Sequence, residues 1–380
     1  GEKPSVISAI CKYHLTEKMR QLINDAMDVH GGKGIMLGPN NYLGRAYQGA
    51  PIAITVEGAN ILTRNMMIYG QGAMRSHPYV LSELLAASHA DPEQGLKQFD
   101  QAVFAHIGFA MSNFFRSLWF SITSAQLTKA PFNDETAGYY RSMQRYSTNM
   151  AFLSDVAMAV LGGELKRRER ISARLGDILS YLYLSSCVLK RFDDEGRKAE
   201  DLPLMHWAMQ DSLQKLETAL EELLNNFPSK IMGGVLKLII MPFGKKYKRP
   251  DDQLEHQVAT ILQSPSEARN RLGAGQYLTR IEGSLMGDLE QTLENVLLAE
   301  PIYEKVCKAA EQYLPFTDLD KVAELGLELD VITKEQAELL KETELGRLRA
   351  INVDDFKHEE LAYGVQKAKP KRKPKVSKKE

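Results

Sequence analysis

Apolar residues recur at helical spacing along most of this 380-residue chain. Between residues 12 and 29 they fall on one face of a helix, at Leu15, Met19, Leu22, Ile23, Ala26 and Met27. No segment alternates apolar and polar residues over a length that would build a sheet. The pattern therefore predicts an all-α protein.

Some of the predicted helices carry their own start signals. Asp91, Pro92 and Glu93 supply an N-cap, a first-turn proline and a first-turn acid, and they predict a long helix that extends past Trp119. Pro78 is expected to occupy the first position of the preceding helix, because its missing N–H costs nothing there.

Other helix boundaries follow from caps and glycines. Asp134 is expected to cap a long helix, or a pair of helices divided at Gly162 and Gly163. Residues 333–336 have the spacing of a capping box. Residues 31–53 contain six glycines and two prolines and predict a long irregular connection. Further helices are expected over 203–226, 251–263, 267–280, 283–299 and 301–313.

The net charge of −1 hides an uneven distribution. Residues 367–380 hold seven Lys, one Arg and one Glu, a local charge of +7, and subtracting +7 from −1 leaves −8 for the rest. This tail indicates either a solvated terminus or an electrostatic tether to an anionic surface. Because no aromatic-interleaved basic face accompanies it, we expect no nucleic-acid partner.

Residues 231–249 combine an apolar helix with a basic cluster. The stretch 231–244 is apolar except for Lys237, and residues 245–249 contain four cations. This arrangement is typical of a helix in a membrane interface, although a core helix whose C-terminal end is matched by cations explains it too. The segment 231–249 and the tail 367–380 are therefore the two candidate contacts with an anionic membrane.

Cysteines and histidines exclude some classes of site. Cys11, Cys187 and Cys307 form no paired spacing, which is typical of a reducing compartment. The eight histidines form no HExxH motif and no close cluster with carboxylates along the sequence, so no metal site is expected. We expect a cytoplasmic protein that could lie peripherally at the inner membrane.

Two short motifs in the first 75 residues carry the chemical information. Gly31-Gly32-Lys33-Gly34 follows a predicted helix, and Glu57-Gly58 opens another that continues past Arg64. Taken singly, the first is an ordinary helix C-cap and the second a first-turn acid matched to the helix dipole. Taken together, their order and spacing resemble the acyl-CoA dehydrogenase family, and the match covers about residues 5–75.

The resemblance implies FAD-dependent α,β-dehydrogenation of a fatty acyl-CoA. Glu57 matches the family's catalytic base, which removes the α proton while a hydride leaves Cβ for the flavin. A buried carboxylate is a stronger base because burial raises its pKa. Gly58, Ala59 and Asn60 match the segment that lies beside the flavin.

The glycine turn carries a second implication of the resemblance. Gly31, Gly32 and Gly34 match the turn that packs against the FAD of a neighbouring subunit, which implies a homodimer. An electron-transfer flavoprotein would accept the electrons, and fatty-acid β-oxidation of medium- to long-chain acyl-CoA to trans-2-enoyl-CoA would be the pathway.

The resemblance also implies a domain order. Residues 1–76 would end a four-helix-bundle domain, 77–365 would form an additional helical domain similar to the extension of bacterial long-chain members, and 366–380 would be a basic tail. The family's N-terminal domains would precede residue 1, so we expect a C-terminal portion that is inactive alone. The alternative function is a non-catalytic helical module for membrane association.

Overall fold

The computed structural model describes residues 4–72, 76–278 and 284–361. Every regular element within these ranges is a helix, which confirms the predicted all-α fold. In the same part of the chain, we find no helix that has both the length and the apolar content needed to cross a membrane. The basic tail 367–380 lies outside the described residues.

The chain divides into two compact units that interleave along the sequence. The first combines the segments up to residue 19 and from 50 to 276, and the second combines those from 20 to 49 and from 277 onward. Helices α1 (Ser5–His30) and α2 (Gly44–Thr55) each contribute residues to both units. Both units draw on sequence from either side of residue 76, so the domain boundary expected there stays a prediction.

The first unit contains most of the long helices. They are a π-helix (Thr63–Gln71), α3 (Val80–Ala87), α4 (Pro92–Ile122), α5 (Ala137–Leu161), α6 (Glu169–Asp194), α7 (Leu202–Asn225), α8 (Lys230–Ile240) and α9 (Asp252–Gln263). Helices α5, α6 and α7 supply the centre of its core, where side chains such as Leu153, Leu175 and Leu216 are fully buried.

The start of α4 agrees with its sequence signal, whereas two other starts do not. The Asp91 carboxylate accepts hydrogen bonds from the N–H groups of Glu93 and Gln94, at 3.0 and 3.4 Å. Helix α3 begins two residues after Pro78, so Pro78 lies in the preceding turn. Thr136, directly before Ala137, occupies the cap position of α5. Asp134 lies two residues earlier, and its carboxylate accepts a hydrogen bond from the Thr136 N–H.

The predicted division at Gly162-Gly163 is confirmed. Helix α5 ends at Leu161, a 3₁₀ turn spans Gly162–Lys166, and α6 follows from Glu169. Gly162 has a φ of 48°, which glycine adopts without the steric cost that a Cβ would add.

The second unit is built around α10 (Leu285–Ala309), α11 (Leu319–Glu328) and α12 (Lys334–Ile351). Its buried core includes Ala299, Val306, Leu319, Val322 and Leu340. The capping box at the start of α12 is confirmed. Gln336 N–H donates to Thr333 Oγ1 and Thr333 N–H donates to Gln336 Oε1, at 3.3 and 3.0 Å.

Three predicted boundaries are wrong. Residues 31–53 do not form one irregular connection, because a short helix spans Gly32–Ile35 and α2 includes Pro51 in its interior. Pro301 does not divide α10, since packing of Ala299 and Val306 in the same core outweighs the lost hydrogen bond. The helix expected over 267–280 ends at Leu272, just before Gly273.

Candidate active site

Glu57 lies in a strained turn between α2 and the short helix Asn60–Leu62. Its φ is 54° and that of Gly58 is 87°, so both residues adopt the left-handed region. A residue with a Cβ pays about 1–2 kcal/mol for that conformation. Glu57 is one of six such non-glycine residues in the described part of the chain, and it is the one that belongs to the motif. Its side chain is exposed within this chain.

The turn is held by side chains of α1 from the same unit. Lys12 Nζ donates to Gly58 O at 2.7 Å and to Asn60 Oδ1 at 2.6 Å. Asn60 Nδ2 donates to Thr16 Oγ1 at 2.9 Å and to Glu17 Oε1 at 2.8 Å. Both the amide oxygen and the amide nitrogen of the buried Asn60 side chain therefore have partners in α1.

A nine-residue π-helix follows the turn. Arg64, the last residue of the matched motif, donates from Nε and Nη2 to the two carboxylate oxygens of Asp177 at 2.9 and 2.5 Å. This paired hydrogen bond raises the Arg64 pKa and fastens the π-helix to α6. π-helical turns are rare and occur often at functional sites, and the sequence pattern gave no sign of this one.

In the second unit, the Gly31–Gly34 turn has an open side and a packed side. Gly31 has a φ of 53°, and a Cβ there would meet no atom within 4 Å. Gly32 is exposed, and a Cβ there would touch only Val353, at 3.7 Å. Lys33 and Gly34 are buried, and a Cβ on Gly34 would approach the Met27 sulfur to 3.2 Å. The backbone at Gly31 and Gly32 is thus the accessible part of the turn.

The apolar helix predicted over 231–244 buries one face and exposes the other. Gly233, Leu236 and Ile240 face the core of the first unit. The opposite face exposes Ile231, Val235 and Leu238, at 83, 53 and 71%, and Phe243, 74% exposed, lies in the turn after the helix ends at Ile240. The helix is therefore both a core element and an apolar surface, so the two readings of this segment are not exclusive.

Part of the basic cluster 245–249 is used inside the fold. The buried carboxylate of Glu217 accepts from the N–H groups of Lys246 and Tyr247, at 2.9 and 2.7 Å. Lys246 Nζ donates to Ser142 Oγ, and Lys245 pairs with Glu221. Lys248 and Arg249 remain as the exposed cations that make no ion pair with any described residue.

Two histidines and two acids that are distant in sequence meet in the first unit. His77 Nε2 and His106 Nε2 lie 2.9 and 3.1 Å from Asp155 Oδ1, and His106 Nδ1 lies 2.7 Å from Glu83 Oε1. The ligand atoms of His77, His106 and Asp155 all lie within 4.8 Å of one another. Sequence spacing could not reveal this cluster, because 78 residues separate His77 from Asp155.

The hydrogen-bond partners of the two histidines favour a hydrogen-bond network over metal ligation at this cluster. His77 Nδ1 accepts from the N–H groups of Tyr79 and Val80 and so caps α3, which leaves the proton on Nε2. That proton is donated to Asp155, so Nε2 has no lone pair for an ion. His106 faces carboxylate oxygens with both nitrogens, an arrangement that suits the doubly protonated ring.

Comparison with known families defines the class of this chain. Residues 1–70 match the model of the acyl-CoA dehydrogenase C-terminal domain. Residues 74–356 match that of the bacterial-type acyl-CoA dehydrogenase C-terminal region, which is well over half of the chain. The protein belongs to the acyl-CoA dehydrogenase family, an oxidoreductase family of acyl-CoA metabolism. Its extension is of the bacterial type. No solved structure matches the chain.

Proposed function

We propose that the protein catalyses FAD-dependent α,β-dehydrogenation of a medium- or long-chain fatty acyl-CoA, with Glu57 as the base. The observation that supports this most directly is the strained Glu57-Gly58 turn, which coincides with the family motif and is fixed by a dedicated network from α1. Strained residues held by their surroundings concentrate at active sites.

Glu57 would remove the proton from Cα of the bound thioester. Negative charge then develops on the thioester oxygen, and backbone N–H groups placed beforehand in the turn would stabilise it. Because the Glu57 side chain is exposed within this chain, substrate and cofactor would have to cover it. Such cover would exclude water from the carboxylate and so strengthen it as a base. The product would be the trans-2-enoyl-CoA.

Each of the two turns would offer accessible backbone to a flat cofactor. FAD, when bound, would supply the acceptor for the hydride that leaves Cβ. Gly31 and Gly32 offer open backbone, and Gly58 and Ala59 would face the flavin, whereas Gly34 and Asn60 would act by holding their turns. A homodimer would bring the glycine turn to the partner's cofactor, and an electron-transfer flavoprotein would receive the electrons.

The test is Glu57→Gln in the intact enzyme, assayed by dye reduction with palmitoyl-CoA. Because general-base catalysis contributes about 10²–10⁴-fold, we expect kcat to fall by at least about 10²-fold while FAD content is retained. Glu338→Gln, an exposed glutamate on α12, is the matched control and should stay near wild type. Near-normal turnover by Glu57→Gln would refute the assignment.

A second candidate function, membrane association, is favoured by the exposed apolar face of α8. Ile231, Val235 and Leu238 follow one another at helical spacing, and Lys248 and Arg249 lie close by in sequence. Apolar side chains next to cations suit the interface of an anionic bilayer. The protein would then bind fatty acyl substrates close to a membrane surface.

Flotation with vesicles of phosphatidylglycerol and phosphatidylcholine tests this second function. We expect the double variant Leu238→Glu and Phe243→Glu to lose most vesicle binding, and removal of 367–380 to weaken it further. Leu262→Glu, which places the same charge on an exposed position of α9, serves as the control. Equal flotation of the double variant and the wild type would exclude α8 as the contact.

A further inference from the structure

We propose that Lys12 is a positioning residue for the reaction, because it fixes the conformation of the Glu57 turn. This inference rests on the proposed role of Glu57 as the base. Lys12 lies in the first half of α1, 45 positions before Glu57, and belongs to the same compact unit. Lys12 would act through the turn, without touching the substrate or the cofactor.

The ammonium group of Lys12 joins two acceptors that flank Ala59. It donates to the main-chain oxygen of Gly58 at 2.7 Å and to the side-chain oxygen of Asn60 at 2.6 Å. Hydrogen bonds from a charged donor are shorter and stronger than neutral ones. Because one acceptor belongs to the backbone, Lys12 fixes the orientation of the peptide that directly follows the Glu57-Gly58 pair.

Asn60 is in turn oriented by α1. Its amide nitrogen donates to Thr16 Oγ1 at 2.9 Å and to Glu17 Oε1 at 2.8 Å, so its oxygen is the atom that faces Lys12. Lys12 and Thr16 are four residues apart and lie on the same face of the helix, and Glu17 follows Thr16 directly in sequence. Three side chains of α1 therefore hold both the oxygen and the nitrogen of the Asn60 amide in place.

A left-handed Glu57 needs such support. With φ at 54°, Glu57 would gain by returning to the helical or extended region if the following residues were released. Thr63 provides one further bond, from Oγ1 to Gly58 O at 3.2 Å. Without Lys12 that longer, neutral bond is the main restraint left on the Gly58 carbonyl, and the carboxylate of Glu57 would sample positions away from the substrate Cα.

The experiment compares Lys12→Met, Lys12→Arg and Lys18→Met in the intact enzyme. Lys18 is an exposed lysine of the same helix and takes no part in the hydrogen bonds that hold the Glu57 turn, so it controls for loss of charge. We expect Lys12→Met to lower kcat by about 10- to 100-fold with KM changed less than about twofold and FAD content retained. Lys12→Arg should recover most of kcat, because its guanidinium can serve both acceptors.

Hydrogen–deuterium exchange of this 380-residue chain gives a readout that does not depend on catalysis. Faster exchange over residues 56–62 is expected in Lys12→Met and not in Lys18→Met. If exchange rises and kcat stays within twofold of wild type, Lys12 is structural and the inference is wrong. If neither changes, Lys12 does not hold the turn and the inference is also wrong.

The Glu57→Gln variant separates failure of this inference from failure of the proposed function. An active Glu57→Gln enzyme would overturn both, because there would be no base to position. An inactive Glu57→Gln enzyme together with a fully active Lys12→Met enzyme would overturn the inference alone. Loss of activity in both variants, with recovery in Lys12→Arg, is the result expected.

Discussion

Lys33 shows how a residue inside a glycine turn can serve a distant helix end. Its Nζ donates to the main-chain oxygens of Arg349 and Ala350 at 2.8 and 2.7 Å. These carbonyls belong to the last turn of α12, where no intrahelical N–H remains to bind them. The positive charge also matches the negative end of the helix dipole, so a buried lysine is stable there even though burial lowers its pKa.

We expect Lys33→Met to lower the melting temperature of the chain by a few degrees. The substitution keeps the aliphatic stem but leaves two half-buried helix-end carbonyls without their lysine donor, which costs about 1 kcal/mol or more. Differential scanning fluorimetry measures the shift. Lys334→Met, at the exposed start of the same helix, should have little effect, and an equal loss in both variants would contradict the capping role.

At the scale of single residues, the sequence identified candidate groups but not their partners. Glu57 and the glycines could be named because a motif repeats residue types at fixed spacing. Lys12, Lys33 and the His106 cluster could not be, because a lysine or histidine looks the same in a sequence whether it is exposed or paired. Their partners lie far along the chain, 316 residues away in the case of Lys33.

At the scale of elements, one hydrogen-bond cluster ties α3, α4 and α5 together. His106 of α4 lies between Glu83 of α3 and Asp155 of α5. Burial opposes its charge, but the hydrogen bonds and charges of these two acids outweigh that effect and raise the pKa of His106. His77 and Tyr79 complete the surroundings, the first by donating to Asp155 and the second by stacking on the ring.

This cluster predicts a loss of stability as the pH rises. A histidine whose folded pKa is raised stabilises the fold fully below its ordinary pKa of about 6.5, and that contribution is lost as the pH passes the folded value. We expect melting temperatures measured between pH 6 and pH 8.5 to fall less steeply for His106→Gln than for wild type. His256→Gln, an exposed histidine of α9, should keep the wild-type slope, and identical slopes for all three proteins would contradict the prediction.

Helix positions were largely predictable because apolar period and caps are local properties. The helix predicted over 12–29, which in the structure begins earlier at Ser5, the Asp91 cap and the Thr333 capping box all follow from residues within a few positions of one another. The errors at Pro51 and Pro301 both arise at a proline inside a helix. Each proline removes one hydrogen bond, which sequence reasoning counts. The packing of Ala299 and Val306 that retains α10 is not visible in the sequence.

At the scale of the whole molecule, the two units are defined by contacts between residues distant in sequence. No change in composition along the sequence marks their boundaries. Residues 20–49 belong to the same unit as the end of the chain. One contact between them is a hydrogen bond from Asn40 N–H to Asp354 Oδ2, with 3.1 Å between nitrogen and oxygen. A Cβ on Gly38 would lie 2.2 Å from the same carboxyl group, so only glycine fits that approach. The family match gives two consecutive sequence regions, whereas the fold interleaves them.

The hydrogen bonds of Lys33 have a consequence for synthesis. A ribosome that adds about 5–20 residues per second needs roughly 15–60 s to produce the 316 residues between Lys33 and Arg349. Throughout that interval the nascent segment 20–49 has no partner from the end of the chain, and most of the first unit is synthesised before Arg349 is added. Early release of the chain would leave this segment unpaired, a substrate for chaperones and proteases.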